Sequence, residues 1–231
     1  MRCLFWKKKE KRYENPLIRE DATRAELNKW KTSEFVVERI VPFAGYVPYP
    51  LDELMLMVEA VCIVNPSLIF EWGTHIGKSA WIFHETCRCF HVNAEIYSID
   101  LPDSVEHAEH PHEERGRMVR GLKGVTLHQG DGVTTALSLL SQENRRGGRA
   151  LFFLDGDHAY QSVRRELEAI LTTTCWRGIL VHDTFFQTEE AQYNIGPYQA
   201  VRDIFCDKND VVVHSTAMGL PGMTLILPKD G

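Results

Sequence analysis

The chain has 231 residues, of which 44% are hydrophobic and 25% are charged, a balance typical of an ordinary globular protein. This length is sufficient for one large α/β domain or two small ones. The formal net charge of −6 argues against nucleic acid as the main partner, because a phosphate-binding surface needs clustered lysines and arginines.

The N-terminal part is predicted to be a polar tail followed by helices. The tail carries a basic cluster at residues 7–12, which we interpret as solvated, with contact to an anionic membrane surface as the alternative. The segment as a whole is expected to cap the substrate or to pair between subunits of a homo-oligomer. The predicted ranges are a tail over 1–30, a helix over 26–40, a turn-rich break over 42–50 and a helix over 51–61.

The sequence also predicts the cellular location of the protein. It contains no apolar run near the ~18 residues of a membrane span, and it begins without the apolar core of a signal peptide. Its six cysteines are scattered along the chain, without the second pair that a zinc site would need. We therefore expect a cytoplasmic protein with reduced thiols and no membrane insertion.

From residue 61 onward, short apolar strands alternate with helices. This alternation predicts a doubly wound, mostly parallel, Rossmann-like α/β sheet covered by helices on both faces. The last two strands are joined by a turn-rich segment and predict a terminal antiparallel hairpin. We divide the chain into an N-terminal segment, 1–60, and a main domain, 61–231. The predicted strands are 68–71, 95–100, 125–129, 150–155, 178–183, 211–215 and 223–227. The predicted intervening helices are 78–89, 112–121, 134–140, 162–171 and 198–206.

Each of the first five predicted strands ends in or just before an acidic residue. In parallel sheets ligands bind beyond the carboxyl ends of the strands, so this pattern predicts a ligand site there. Asp is also a common helix cap and turn residue, which explains any one of these acids without a ligand. The strand-end residues are Glu71, Asp100, Asp131, Asp155, His182 and Asp183.

The turn after the first strand can be compared with three glycine motifs. A dinucleotide fingerprint needs three glycines, and this turn has only Gly73 and Gly77. A phosphate-binding P-loop needs Gly at the position of Trp72. The third motif, the E-x-G-x-x-x-G turn of class I methyltransferases, matches Glu71, Gly73 and Gly77 without gaps.

With this turn as anchor, the chain resembles class I S-adenosylmethionine-dependent methyltransferases. Within them it is most similar to the cephalosporin hydroxylase-like and macrolide-sugar (macrocin, mycinamicin) O-methyltransferases. The resemblance covers residues 60–227 and implies a sheet with strand order 3-2-1-4-5-7-6. The matching segments are FEWGTHIGKS (70–79), YSID (97–100), QGD (129–131), LDGDHAY (154–160) and GILVHDT (178–184).

The resemblance also implies which residues bind S-adenosylmethionine. Asp100 would accept hydrogen bonds from the ribose hydroxyls, and Asp131 would lie beside the adenine amine. NAD would use an acid at the position of Asp100 as well, but the missing third glycine and the terminal hairpin argue against it. The full set implied for the cofactor is Glu71, Gly73, Thr74, Gly77, Ser79, Asp100, Gly130, Asp131 and Asp155.

In the same group a divalent metal, with Mg²⁺ as the expected ion, is held at the ends of the fourth and fifth strands. The matching ligands here are Asp155, His182 and Asp183, and His158 matches the general base. His182 departs from the group, which has an acid there, and imidazole suits Mg²⁺ less well than carboxylate does. Asp157 or Thr184 could complete the shell instead.

The acidity of an alcohol explains why such a site needs a metal. A hydroxyl with a pKa of ~15.7 and a histidine with a pKa of ~6.5 differ by about 9 units, or about 12 kcal/mol. Metal coordination can lower the pKa of bound water to about 7. Together with this acidity, the resemblance implies an O-methyltransferase that acts on a small-molecule hydroxyl, such as that of a sugar or glycosylated natural product. The alternatives are an inactive cofactor-binding module and an iron-dependent oxygenase.

Overall fold

A computed structural model describes residues 27–105, 114–141, 148–186, 194–216 and 218–229. The basic cluster at residues 7–12 lies outside the described residues. So do residues 112 and 113 of the helix predicted over 112–121. Within the described part, no helix is long and apolar enough to cross a membrane.

A seven-stranded sheet with the order β3-β2-β1-β4-β5-β7-β6 forms the centre of the fold. Neighbouring strands among β1 to β5 are parallel, and β7 runs antiparallel to both β5 and β6. The predicted fold class and strand order are therefore confirmed. The strands are β1 Leu68–Trp72, β2 Glu95–Asp100, β3 Val125–Gln129, β4 Ala150–Leu154, β5 Trp176–His182, β6 Val211–Ser215 and β7 Met223–Pro228.

Helices cover both faces of the sheet and give it two apolar cores. Alternate residues of each strand point to opposite faces, so Ile69 and Phe153 pack with α3 and α4, whereas Phe70 and Phe152 pack with α5, α6 and α7. The helices are α1 Lys29–Phe35, α2 Val41–Ala44, α3 Leu51–Val64, α4 Lys78–Phe90, α5 Gly132–Ser141, α6 Tyr160–Leu171 and α7 Gly196–Phe205, with a π-helical turn, Val36–Ile40, between α1 and α2.

The N-terminal helices extend beyond their predicted ends. The helical path continues through Pro42, because this proline lies in the first turn of α2, where its missing N–H is tolerated. Helix α3 ends three residues later than predicted, at Val64, with Asn65 in the left-handed conformation as its cap. Helix α3 thus crosses the predicted division at residue 60, and its buried side chains share a core with α4 and the sheet.

The helix predicted over residues 112–121 is wrong for the part that the structure describes. Residues 115–121 form turns, and both Gly116 and Gly121 have positive φ angles, 64° and 83°, which interrupt a right-handed helix. One consequence is that Arg115 is buried, with 6% of its surface exposed, beside the end of β2.

Candidate active site

The predicted site residues meet at the carboxyl edge of the parallel strands. Trp72 at the end of β1 lies opposite Ile99 of β2 on one side and Leu154 of β4 on the other. Leu154 in turn lies opposite Val181 of β5. The acids that end or follow these strands are therefore neighbours in space.

Glu71 is completely buried and joins β1 to the segments beside it. Both Ser79 and Ser98 donate hydrogen bonds to its carboxyl group, and Ser98 is also 2.7 Å from the Thr74 hydroxyl. Burial raises the pKa of Glu71 to about 8. Ser98 was not among the predicted site residues, although the parallel register places it directly opposite Glu71.

Gly73 brings the ends of β1 and β4 into backbone contact. Its φ is +95°, and a Cβ atom at this position would lie 2.2 Å from the carbonyl oxygen of Asp155. Gly77, with φ +86°, precedes α4 and packs against Gly116 and Val119. The two glycines therefore shape the loop that follows β1.

The substitution Gly73→Ala should displace the Asp155 loop, because all three atoms that a Cβ would meet belong to the backbone of Asp155 and Gly156. We expect a loss of about 3 kcal/mol or more in unfolding free energy, together with loss of S-adenosylhomocysteine binding, measured by denaturation and calorimetry. Gly121→Ala is the control: its φ is +83°, but nothing lies within 4 Å of a Cβ there, so it should cost only about 1 kcal/mol. Equal effects of the two changes would contradict this role.

Asp100 connects the β1 loop to the end of β2. Its carboxylate accepts hydrogen bonds from the backbone N–H groups of His75 at 3.0 Å and Leu101 at 2.8 Å. The guanidinium Nε of Arg115 lies 3.5 Å away, and Arg115 also pairs with Asp103 at 2.9 Å. The sequence did not indicate Arg115, because it fell within the incorrectly predicted helix.

Asp131 caps the helix that follows β3. It accepts a hydrogen bond from the backbone N–H of Thr134 at 2.8 Å, and Arg165 binds its two carboxylate oxygens at 2.7 and 2.9 Å. The hydrogen bonds from Arg165 hold the pKa of Asp131 well below its usual range. Gly130, just before it, has a φ of +148°. The cap explains Asp131 structurally, and its contact with adenine stays a prediction.

The three predicted metal ligands form one cluster. Ligand atoms of Asp155, His182 and Asp183 lie within 4.8 Å of one another. His182 Nδ1 is 2.8 Å from Asp155 Oδ1 and 3.7 Å from Asp183 Oδ2. Asp183 has a φ of +57° and accepts a hydrogen bond from Asn194 at 2.8 Å. The structure therefore brings an imidazole and two carboxylates together at this edge.

Two residues from the N-terminal segment, one in the loop before α3 and one on α3, complete this cluster. Glu53 Oε2 lies 3.1 Å from His182 Nε2, and Glu53 Oε1 accepts the backbone N–H of Gly222 at 2.8 Å. The Tyr49 hydroxyl donates to Asp155 Oδ2 at 2.5 Å. Neither Tyr49 nor Glu53 was among the predicted site residues. Glu53 lies on the same buried face of α3 as Met57, Ala60 and Val64, and an acid on an apolar helix face is a signal that could have indicated it.

Charge is balanced in this cluster by protonated histidine. Burial opposes the charged form of His182, but the charge of Asp155, its hydrogen bond and that of Glu53 outweigh burial and raise the pKa of His182 to about 11. Burial likewise opposes ionisation of Asp155, yet the charge of His182 and several hydrogen bonds hold its pKa well below the usual range. Without an ion, the acids around His182 therefore favour its protonated form.

His158 lies beside the same acids. Its Nε2 atom is 3.0 Å from Asp183 Oδ2 and 3.8 Å from Asp155 Oδ1, and a quarter of its side chain is exposed, 25%. Burial opposes its charged form, but hydrogen bonds with Asp155 and Asp183 outweigh burial and raise the pKa of His158 to about 10. The Nε2 atom itself is buried beside these acids, and the exposed part of the side chain consists of its other atoms.

This donor set suits a divalent ion. Carboxylate oxygens and imidazole nitrogens are ordinary ligands of such ions, and an ion can take the place of the proton on His182 Nδ1. The two alternative ligands from the sequence are engaged elsewhere. Asp157 accepts hydrogen bonds from Ala159 and Ser162 at the start of α6, and Thr184 is 2.7 Å from Thr224 of β7.

A known protein family matches most of this chain. The sequence model of the rhamnosyl O-methyltransferase/CmcI family matches residues 44–220. Among curated proteins, none matches this sequence significantly.

Solved structures of methyltransferases share the fold. The S-adenosylhomocysteine-bound methyltransferase PaMTH1 of Podospora anserina is 19% identical, with a TM-score of 0.56 and coverage of 92% of this chain and 89% of its own. CalS11, a TDP-rhamnose 3'-O-methyltransferase of calicheamicin biosynthesis, is 15% identical, with a TM-score of 0.54 and coverage of 88% and 93%. An O-methyltransferase of Bacillus cereus in complex with SAH is 17% identical, with a TM-score of 0.55 and coverage of 86% and 91%.

Proposed function

Because the chain belongs to the rhamnosyl O-methyltransferase/CmcI family and is an S-adenosylmethionine-dependent O-methyltransferase, we propose that it methylates a hydroxyl of a sugar or glycosylated natural product with the help of a divalent ion. The observation that carries this proposal is the convergence of Asp155, His182 and Asp183 beside His158. A small-molecule hydroxyl is the acceptor class of CalS11, which acts on TDP-rhamnose.

The cofactor is proposed to lie along the same strand edge. Asp100, with its carboxylate at the end of β2, would accept hydrogen bonds from the ribose hydroxyls, and Gly130 and Asp131 would flank the adenine. The loop after β1 would surround the methionine end, which brings the sulfonium methyl toward Asp155. The loop residues are Glu71, Gly73, Thr74, Gly77 and Ser79.

The residues of the metal cluster would then prepare the acceptor. Asp155, His182 and Asp183 would hold the divalent ion, which supplies a lower pKa for a bound hydroxyl. Tyr49 fixes one oxygen of Asp155, and Asn194 fixes Asp183, so these carboxylates are pre-oriented. Because these carboxylates are already oriented, their own entropy does not have to be lost when the acceptor binds.

His158 is proposed as the general base. Its Nε2 atom would accept the hydroxyl proton as the acceptor oxygen forms a bond to the methyl carbon. The carbon–sulfur bond breaks in the same step, and S-adenosylhomocysteine leaves. The proton then passes from His158 to solvent.

A methyl-transfer assay tests this function directly. Purified protein with S-adenosylmethionine should methylate rhamnosides or other glycosides, and removal of divalent ions by a chelator should lower the rate by about 10²-fold or more. Mass spectrometry of the product identifies the methylated oxygen. Transfer to an amine or thiol in preference to hydroxyls, or full activity after chelation, would refute the respective part of the proposal.

A further inference from the structure

Glu53 is an acid buried inside the fold, with 2% of its surface exposed, and its partner His182 is 4% exposed. It lies on α3, in the segment that sequence analysis assigned to capping. A buried acid is costly unless its oxygens are satisfied. The Glu53 carboxylate therefore has a specific structural or functional task.

Each carboxylate oxygen of Glu53 has a hydrogen-bond partner. These two partners indicate what Glu53 does. Oε1 accepts the N–H of Gly222 at 2.8 Å, which fixes the carboxylate, and Oε2 is 3.1 Å from His182 Nε2. A carboxylate only accepts hydrogen bonds, so this contact favours the His182 tautomer with its proton on Nε2 when Nδ1 binds an ion. The other ring nitrogen, Nδ1, faces Asp155 Oδ1 and Asp183 Oδ2.

The contact with Tyr49 determines which oxygen of Asp155 faces His182. Tyr49 occupies Oδ2 of Asp155, so Oδ1 is the oxygen that faces His182. A carboxylate that accepts the second ring N–H of a metal-binding histidine fixes its orientation and raises its basicity. The Glu53–His182–Asp155 arrangement matches that requirement from three separate elements, α3, β5 and the end of β4.

We propose that Glu53 is a positioning residue that presents His182 Nδ1 to the divalent ion and thereby makes the site prefer a transition-metal ion to Mg²⁺. The inference rests on the divalent site of the proposed function. Mg²⁺ favours oxygen ligands and retains its water, whereas imidazole suits ions such as Zn²⁺, Fe²⁺ and Ni²⁺, and the affinity of a given site for divalent transition-metal ions rises from Mn²⁺ to Co²⁺. The ion expected from the family resemblance, Mg²⁺, is thereby replaced by an ion of this class.

Metal affinity, measured without substrate, tests the proposal. Full-length, metal-stripped protein is titrated with Mn²⁺, Co²⁺ and Mg²⁺ by calorimetry, and Co²⁺ binding is followed by its visible absorption. We expect Co²⁺ to bind at least about tenfold more tightly than Mg²⁺, with the affinity for Mn²⁺ between the two. Glu53→Gln should weaken Co²⁺ binding by about 10- to 100-fold and alter the Co²⁺ spectrum.

Two further variants sharpen the result. Asp52→Asn is the matched control, because it removes the same charge from the neighbouring, exposed position of α3 and should leave Co²⁺ affinity unchanged. His182→Asp replaces the nitrogen ligand with oxygen and should shift the preference toward Mg²⁺. If Glu53→Gln unfolds, ¹⁵N spectra of histidine in Zn²⁺-loaded wild type still test the proposal: Nε2 of His182 should carry the proton and Nδ1 should not.

The outcomes separate this inference from the function on which it rests. Tighter binding of Mg²⁺ than of Mn²⁺ and Co²⁺, unchanged Co²⁺ affinity in Glu53→Gln, or a proton on Nδ1 in the Zn²⁺-loaded protein would overturn the role of Glu53. The divalent site would survive those results if Asp155→Asn still abolished ion binding. Absence of any ion binding in wild type would overturn both the inference and the metal part of the proposed function.

Discussion

Asp155→Asn should lower the methyl-transfer rate by at least about 10³-fold while changing S-adenosylhomocysteine affinity by less than about tenfold. Asp155 contacts His182 at 2.8 Å and Tyr49 at 2.5 Å, and it is proposed to hold the divalent ion. Asparagine keeps the shape but removes the charge, so the stabilisation of an acceptor oxyanion, worth several kcal/mol, is lost. Initial rates and calorimetry measure the two quantities separately.

Asp157→Asn is the control for this prediction. It removes the same charge two positions along the chain, where the carboxylate bonds to Ala159 and Ser162 at the start of α6. We expect its rate to stay within a few-fold of wild type, apart from a loss of about 1 kcal/mol in stability from the weakened hydrogen bonds. A fully active Asp155→Asn variant would rule out the proposed metal chemistry at this edge.

The second large effect is expected at His158. His158→Gln should reduce the rate by about 10²- to 10⁴-fold, the usual contribution of a general base. The surrounding acids raise the pKa of His158 to about 10 in the ion-free protein, so the imidazole accepts protons better as pH rises. The wild-type rate should therefore increase with pH until this group is neutral, and the variant should lack that increase.

A pH–rate profile of both proteins, taken at saturating cofactor, measures this difference. His91→Asn serves as the control, because His91 is exposed and lies at the C-terminal end of α4. An unchanged pH profile in His158→Gln, whatever the size of its rate loss, would assign His158 a structural role and leave the base to another group.

The strands were predictable because each combines a short apolar run with a polar end. β2 and β3 begin and end at their predicted residues, Glu95–Asp100 and Val125–Gln129. Parallel pairing then places the strand ends at one edge, so the neighbourhood of Asp155 and His182 followed from local pattern and sheet geometry together. The roles of the individual cofactor residues stay predictions.

The parts that the sequence did not yield depend on contacts between distant residues. Glu53 and His182 are 129 positions apart, and no local pattern links an acid in the first turn of α3 to a histidine at the end of β5. Arg115 was misplaced for another reason. The polar pattern of its segment fits a helix, but Gly116 packs against Leu127 with a positive φ, and the chain turns instead.

The hydrogen bond from Gly222 to Glu53 joins residues 169 positions apart and has a consequence for synthesis. A ribosome delivers Glu53, Asp155 and His182 well before it delivers Gly222 in the final hairpin. Until Gly222 has been synthesised, Oε1 of Glu53 lacks its N–H donor. Strand β7 also cannot yet pair with β5. A nascent chain that stalls before Gly222 therefore holds the proposed ligands of the site without the contact that fixes Glu53.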